Sequence, residues 1–209
     1  MSLNQEQIDR LVMEAQKGNS KAFGEIYDIY FSQIHRYVYY KVSEEHVDDL
    51  VANIFIKTWA KIKKYRKGAC PFSSWLFRIA SNTVIDHYRT NKEFYELEER
   101  IADDNEKLNP QNFTEKNLNG ERVHRALRKI GKKYQEVVLL RFMNDLSNKE
   151  IAEALGTNES NIRTLQFRAL KKLRSLLEEQ EREAKKRLEE KDGQVKKPGF
   201  LRRIFARSS

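Results

Sequence analysis

Leu146-Ser-Asn-Lys-Glu-Ile-Ala-Glu-Ala-Leu-Gly-Thr-Asn-Glu-Ser-Asn-Ile-Arg-Thr-Leu-Gln-Phe-Arg-Ala-Leu-Lys-Lys-Leu173 carries a full set of helix start and stop signals. Ser147 and Glu150 stand three apart, the spacing of a capping box in which two free N–H groups are satisfied reciprocally. Ile151, Ala152 and Leu155 give the short helix that follows an apolar face. Gly156 suits the sharp turn, Asn158 caps a second helix, and Ile162, Leu165, Ala169 and Leu173 bury it. Two helices joined so tightly form a helix-turn-helix. The outer side of the second helix collects Ser160, Asn161, Arg163, Thr164, Phe167 and Arg168. These are types that donate to base edges and phosphates in a major groove. A plain helical hairpin is the alternative, but cap, turn and donor row all agree on DNA reading.

A second stretch, Pro71 to Arg89, combines an apolar face with a polar row. Pro71 breaks what precedes it, and Ser73 or Ser74 is placed to cap a helix. Leu76, Ile79, Ala80 and Thr83 share one face, with Phe77, Val84 and Tyr88 beside them. Arg78, Asn82, Asp86 and Arg89 follow one another at steps of three and four, a hydrogen-bonding stripe suited to bases and phosphates. The loop before it, Lys63 to Cys70, is basic and contains Tyr65. Cations beside rings suit single-stranded nucleic acid.

Upstream, Ile8, Leu11, Val12 and Ala15 make a first helical stripe that stops at Gly18-Asn-Ser20. Phe23, Ile26, Tyr27, Tyr30, Phe31, Ile34, Tyr37 and Val38 make a broader one, read as core packing. Ser43 to His46 looks like a helix start, and Leu50, Val51, Ile54, Trp59 and Ile62 are able to face a core. Asp48, Asp49, Asn53, Lys57 and Lys61 form the opposite face, with the bulky pair Phe55 and Ile56 at its edge. An acidic and aromatic patch of this kind suits a protein partner.

The chain has 209 residues, only 8 Gly and 3 Pro, and no alternating β-branched run. It is therefore expected to be all-α: two small helical domains joined by a flexible acidic linker, the C-terminal one a helix-turn-helix. The net charge of +9 divides into +4 over 1–92, −5 over 93–120 and +10 over 121–209. Two basic blocks around an acidic connector suit a protein that meets a polyanion. The single cysteine, Cys70, excludes an intrachain disulfide and a cysteine-based zinc cluster. His35, His46, His87 and His124 are scattered, and no glycine-rich phosphate loop appears, so neither enzymatic chemistry nor a cofactor is expected. The N-terminus does not read as a signal peptide and no apolar run approaches membrane-spanning length, which makes the cytoplasm the default location.

In order and spacing these motifs resemble a bacterial sigma factor of the compact extracytoplasmic-function (ECF) group. Trp75-Leu-Phe-Arg-Ile-Ala-Ser-Asn82 with Asp86 and Arg89 resembles the family's promoter-melting helix. Asp48-Asp49-Leu50-Val51 with Phe55 and Trp59 resembles its clamp-docking helix. Leu146 to Leu173 resembles its C-terminal helix-turn-helix. Ala52-Asn53 and Leu165 depart from the family's usual residues.

The resemblance implies a non-catalytic monomer that binds the clamp and flap of core RNA polymerase and promoter DNA. It also implies an anti-sigma factor, which would be the only link to a membrane. By the same implication, Tyr65, Phe72, Trp75, Arg78, Asn82, Asp86 and Arg89 serve the −10 element. Ser160, Asn161, Arg163, Thr164, Phe167 and Arg168 serve the −35 element, and Asp48, Asp49, Asn53, Phe55 and Ile56 serve polymerase. The expected domains are 1–92, a linker at 93–120, 121–178 and a charged tail at 179–209. A freestanding helix-turn-helix regulator of duplex DNA is the competing expectation.

Overall fold

The structure is a computed structural model that describes residues 5–90 and 115–195, with side chains over 5–90 and 122–186. Helix α1 (Gln5–Gln16) buries Val12 and Ala15. The chain turns at Gly18, and Asn19 caps α2 (Ser20–Tyr39), accepting from the N–H groups of Lys21 and Ala22 at 3.0 and 3.3 Å. The buried stripe of α2 is Ile26, Tyr30, Ile34, Tyr37 and Val38. Phe23 and Phe31 are only half-buried and Tyr27 is exposed, so the broad aromatic face expected to be core is divided between core and surface.

Ser43 makes no side-chain capping bond, because the chain enters α3 (Val47–Lys61) through a 3-10 turn at Glu44–His46. Its backbone carbonyl accepts from His46 N–H at 3.0 Å instead. Helix α4 (Phe72–Thr90) starts one residue after Pro71, which places both expected cap serines inside the first turn. Ser73 reaches outward to Glu150, and Ser74 is buried.

Helix α5 (Glu115–Lys129) begins inside the stretch read as linker. The helix expected near Glu93 to Ile101 lies outside the described residues. Gly131, at φ 94°, turns the chain into α6 (Lys132–Val138), which widens into a π turn at Leu139–Met143. Helix α7 (Asn148–Leu155) carries the capping box of Ser147 and Glu150 and ends at Gly156 in the left-handed conformation, φ 65° and ψ 39°. A side chain there would crowd its own backbone, so glycine is the natural occupant.

Helix α8 (Glu159–Val195) is the second helix of the helix-turn-helix and its extension. It runs through Gly193, a residue type that often ends a helix. One helical glycine costs about 1 kcal/mol, and the left-handed cap that would stop a helix is not adopted there.

Helices α1 to α4 pack in sequence on one another, and α5 to α8 surround a second set of contacts. Helix α4 also lies against α7, and α2 against the π turn. The buried side chains from Val12 to Ala169 are consequently one connected cluster. Among the described residues there is no strand.

Candidate nucleic-acid interface

Helix α4 separates its two jobs by face. Leu76, Phe77, Ile79, Ala80 and Val84 are buried, whereas Arg78, Asn82, Asp86 and Arg89 are exposed along the opposite side. Ile85, not singled out from the sequence, is exposed beside the same row. Arg89 lies 3.4 Å from Asp86, which holds the two ends of a turn together.

At the start of α4 three rings meet. Tyr65 and Phe72 stand at 5.4 Å edge-on, and Trp75 packs on them at 5.4 and 5.5 Å. Phe72 is fully buried and Tyr65 nearly so, whereas Trp75 keeps part of its ring at the surface. Tyr65 and Phe72, both expected to serve the −10 element, are therefore packed inside, beneath Trp75. Helix α2 covers Phe72 through Tyr30 at 5.7 Å, so Phe72 anchors the helix start instead of offering a stacking face. Burial also pushes the Tyr65 phenol up to about 12, and it donates to the Cys70 carbonyl at 2.9 Å.

On α8, Ser160, Asn161, Arg163, Thr164, Phe167 and Arg168 are all exposed, over buried Ile162 and Ala169. Asn158 caps it, accepting from Asn161 N–H at 2.9 Å. Phe167 is 72% exposed, so its ring gains nothing from the protein's own core. Such a ring is suited to apolar contact with a thymine methyl or a sugar.

The third expected surface is a groove of about 650 Å³ between α2 and α3. Phe23 and Trp59 approach at 4.8 Å, and Tyr27 and Phe55 at 4.6 Å, to make its walls. Ile56 rises from its edge, 66% exposed, and Asp48 stands at its end. Asp49 and Asn53 are exposed on α3, while Phe55 belongs to the core and shows the groove only its margin. Trp59, read from the sequence as core, is a groove residue. Spacing alone does not distinguish a core stripe from the wall of an open groove.

The two expected DNA-facing regions meet. Ser73 donates to the Glu150 carboxylate at 2.7 Å, and the Arg78 guanidinium donates to the carbonyls of Glu153 and Ala154 at the end of α7. Burial pushes the Glu150 carboxyl up, but hydrogen bonds from Ser73 and Ser147 outweigh it and hold the group below the ordinary 4.5. Deeper in, Glu136 of α6 accepts from Tyr37 at 2.5 Å and forms an ion pair with Lys41, all three being buried. Burial and then the charge on Lys132 pull the Lys41 ammonium down to about 7, while the carboxylate beside it works the other way. Among the described residues no group of His, Cys, Asp and Glu is placed to hold a metal ion, and no helix is long and apolar enough to cross a membrane.

Comparison with known proteins places the same stretches in sequence families. The model described as Sigma-70 region 2 matches residues 26–94, and that described as Sigma-70, region 4 matches 120–173. The chain is 35% identical over 170 residues to the ECF RNA polymerase sigma factor BldN of Streptomyces coelicolor, covering 80% of this chain and 64% of that protein. It is 27% identical over 184 residues to the ECF RNA polymerase sigma factor SigW of Bacillus subtilis, covering 81% and 96%. Among solved structures, CnrH in complex with the cytosolic domain of CnrY matches with a TM-score of 0.64 at 26% identity, covering 84% of this chain and 98% of that one. CnrH is a sigma factor of Cupriavidus metallidurans. RpoE of Bartonella quintana, in complex with the anti-sigma factor NepR, shares the fold with a TM-score of 0.61 at 20% identity, over 76% of this chain and 98% of that one.

Proposed function

The chain belongs to the sigma-70 family, in its ECF group, and on that premise we propose that it is an alternative sigma factor. It binds core RNA polymerase, directs it to promoters and helps open the DNA, with no catalytic activity of its own. The observation that carries this reading is the pairing of two exposed polar rows, one on α4 and one on the recognition helix, within the spans matched by the two region models. A freestanding regulator would need only the second row.

Each surface then has its role. Asn82, Asp86 and Arg78, with the open part of Trp75, hold the −10 strand, and Tyr65 and Phe72 fix that helix in place from below. Unstacking a base costs a few kcal/mol, so a prepared, rigid row is what the step requires. Ser160, Asn161, Arg163, Thr164, Phe167 and Arg168 read the −35 element. The groove at Ile56, with Asp48, Asp49 and Asn53, docks on the polymerase clamp, where an aromatic-lined pocket ringed by polar groups is the usual form of a binding hot spot. An anti-sigma polypeptide is the expected inhibitor, in keeping with the complex of CnrH with CnrY, and the cytoplasm is the place of action.

The test is co-purification with sigma-free core RNA polymerase, followed by run-off transcription from genomic fragments. Stoichiometric binding with new discrete transcripts supports the reading. Duplex binding without polymerase binding supports the freestanding regulator instead.

A further inference from the structure

The basic loop ahead of α4 is held by a helix that neither region model reaches. Helix α1 ends at Gln16, and the first matched span begins at residue 26. The Gln16 side-chain amide donates to the carbonyls of Ile62 and Tyr65, at 3.0 and 2.7 Å. Those carbonyls mark the start and the cap of the 3-10 turn at Ile62–Lys64, from which the loop departs. Two turns back along α1, the Asp9 carboxylate pairs with Lys67 at 2.9 Å and accepts from the Gln5 amide at 2.9 Å. Burial pushes the Asp9 carboxyl up, but the hydrogen bonds from Lys67 and Gln5 outweigh it and hold the group below the ordinary 3.8. The pair is therefore charged at neutral pH.

The braced loop lies beside the half-open ring of Trp75. Tyr65 packs on that ring at 5.4 Å and donates to the Cys70 carbonyl at 2.9 Å, so the loop begins and ends against the start of α4. Between these points Arg66, Lys67, Gly68 and Ala69 are all exposed. The loop's own backbone adds turn bonds from Tyr65 N–H to the Ile62 carbonyl at 3.0 Å and from Ala69 N–H to the Arg66 carbonyl at 3.3 Å. A span with so little burial has a shape set by its few hydrogen bonds. We infer that Gln16 and Asp9 are positioning residues for promoter melting: α1 braces residues 65–70 so that the loop meets the unstacked −10 base in one conformation. A loop ordered in advance loses less entropy on binding than a loose one. It also discriminates better between bases, because a fixed wall rejects a base that a yielding wall accommodates. The role given to the loop rests on the functional reading above; the brace is a property of the chain by itself.

The test has two arms. The first uses the full chain without polymerase. Gln16→Leu keeps most of the side chain's bulk but donates nothing to Ile62 or Tyr65. Hydrogen exchange at the bonded amides of Tyr65 and Ala69, followed by NMR, is expected to speed about tenfold, the effect of losing about one net hydrogen bond. Asp9→Asn removes the charge of the pair, acts in the same direction, and carries the test if Gln16→Leu does not fold. The second arm uses the chain bound to core RNA polymerase, on promoter fragments carrying each base in turn at the −10 positions. Gln16→Leu is expected to slow opening about tenfold on the preferred sequence, because only the fraction of chain with an ordered loop is competent. Substituted sequences slow much less, so the preference narrows, and affinity for polymerase is unchanged.

Unchanged exchange at both amides in the two variants overturns the brace. A loosened loop with base preference intact overturns the positioning role, and so does equal slowing on every −10 sequence, which a general loss of structure would give. Failure of the unsubstituted chain to bind polymerase would instead strike the functional reading, while the exchange rates would still decide whether α1 holds the loop.

Discussion

Phe72 and Asn82 show how differently two neighbours on one helix can matter. Phe72 is fully enclosed by Tyr30, Tyr65 and Trp75, and removing its ring leaves a cavity in the core. Phe72→Ala is expected to cost about 3–5 kcal/mol of stability, read as a lowered urea midpoint. Asn82 is exposed and supports nothing beneath it. Asn82→Ala should leave the midpoint alone and weaken promoter opening by about 1–3 kcal/mol, the value of one good base contact, with polymerase binding intact. Permanganate footprinting of the melted strand checks this, and equal loss of opening and polymerase binding would refute the division of roles. Arg168 gives a third signature. If it faces phosphate, Arg168→Ala weakens all promoters alike and lowers the slope of log K against log salt by about 1. An unchanged slope would mean that the recognition helix is turned otherwise.

Elements are where the sequence was most legible. The capping box at Ser147, the left-handed Gly156 and the cap at Asn158 each rest on local chemistry, and all three form as the residue types demand. Their energies follow from the same chemistry. Ser147→Ala should lose about 1 kcal/mol and Gly156→Ala a similar amount, since alanine there must adopt an unfavourable backbone angle. Thermal melts of the two variants test both, and a neutral Gly156→Ala would mean the turn relaxes to another shape.

Ser73 and Ser74 failed as caps for a physical reason. A cap must precede the helix, and α4 begins at Phe72. Trp59 and Tyr27 were misread because helical spacing reports a shared face but not what covers it. Arg78 was legible as an exposed polar residue, but its partners on α7 were not, since contacts across 75 or more residues leave no local pattern.

At the scale of the whole molecule, the seam between halves makes stability depend on pH in a stated direction. Glu150 belongs to the capping box of α7 and also accepts from Ser73 of α4, so one carboxylate serves both the element and the joint. Its folded-state value lies below the ordinary 4.5. A depressed carboxyl contributes stability that is complete above 4.5 and is lost as pH falls through the lowered value, because protonation removes the acceptor that both serines use. His87 acts in a higher window. Burial and the neighbouring His46 hold its imidazolium below 6.5, so the unfolded chain takes up a proton first and stability begins to fall below that pH. Urea midpoints from about pH 7 down to about pH 4 should therefore fall in two stages. His87→Gln should reduce the upper stage without abolishing it, because burial and the charge on Arg128 also hold the His124 imidazolium below its ordinary 6.5. Glu150→Gln, which keeps the shape of the side chain without its charge, should flatten the lower stage alone and bring the halves apart at neutral pH. A lower stage that survives Glu150→Gln would assign it to other carboxylates, such as Asp9 beside Lys67, and would separate the acid response from the joint between α4 and α7.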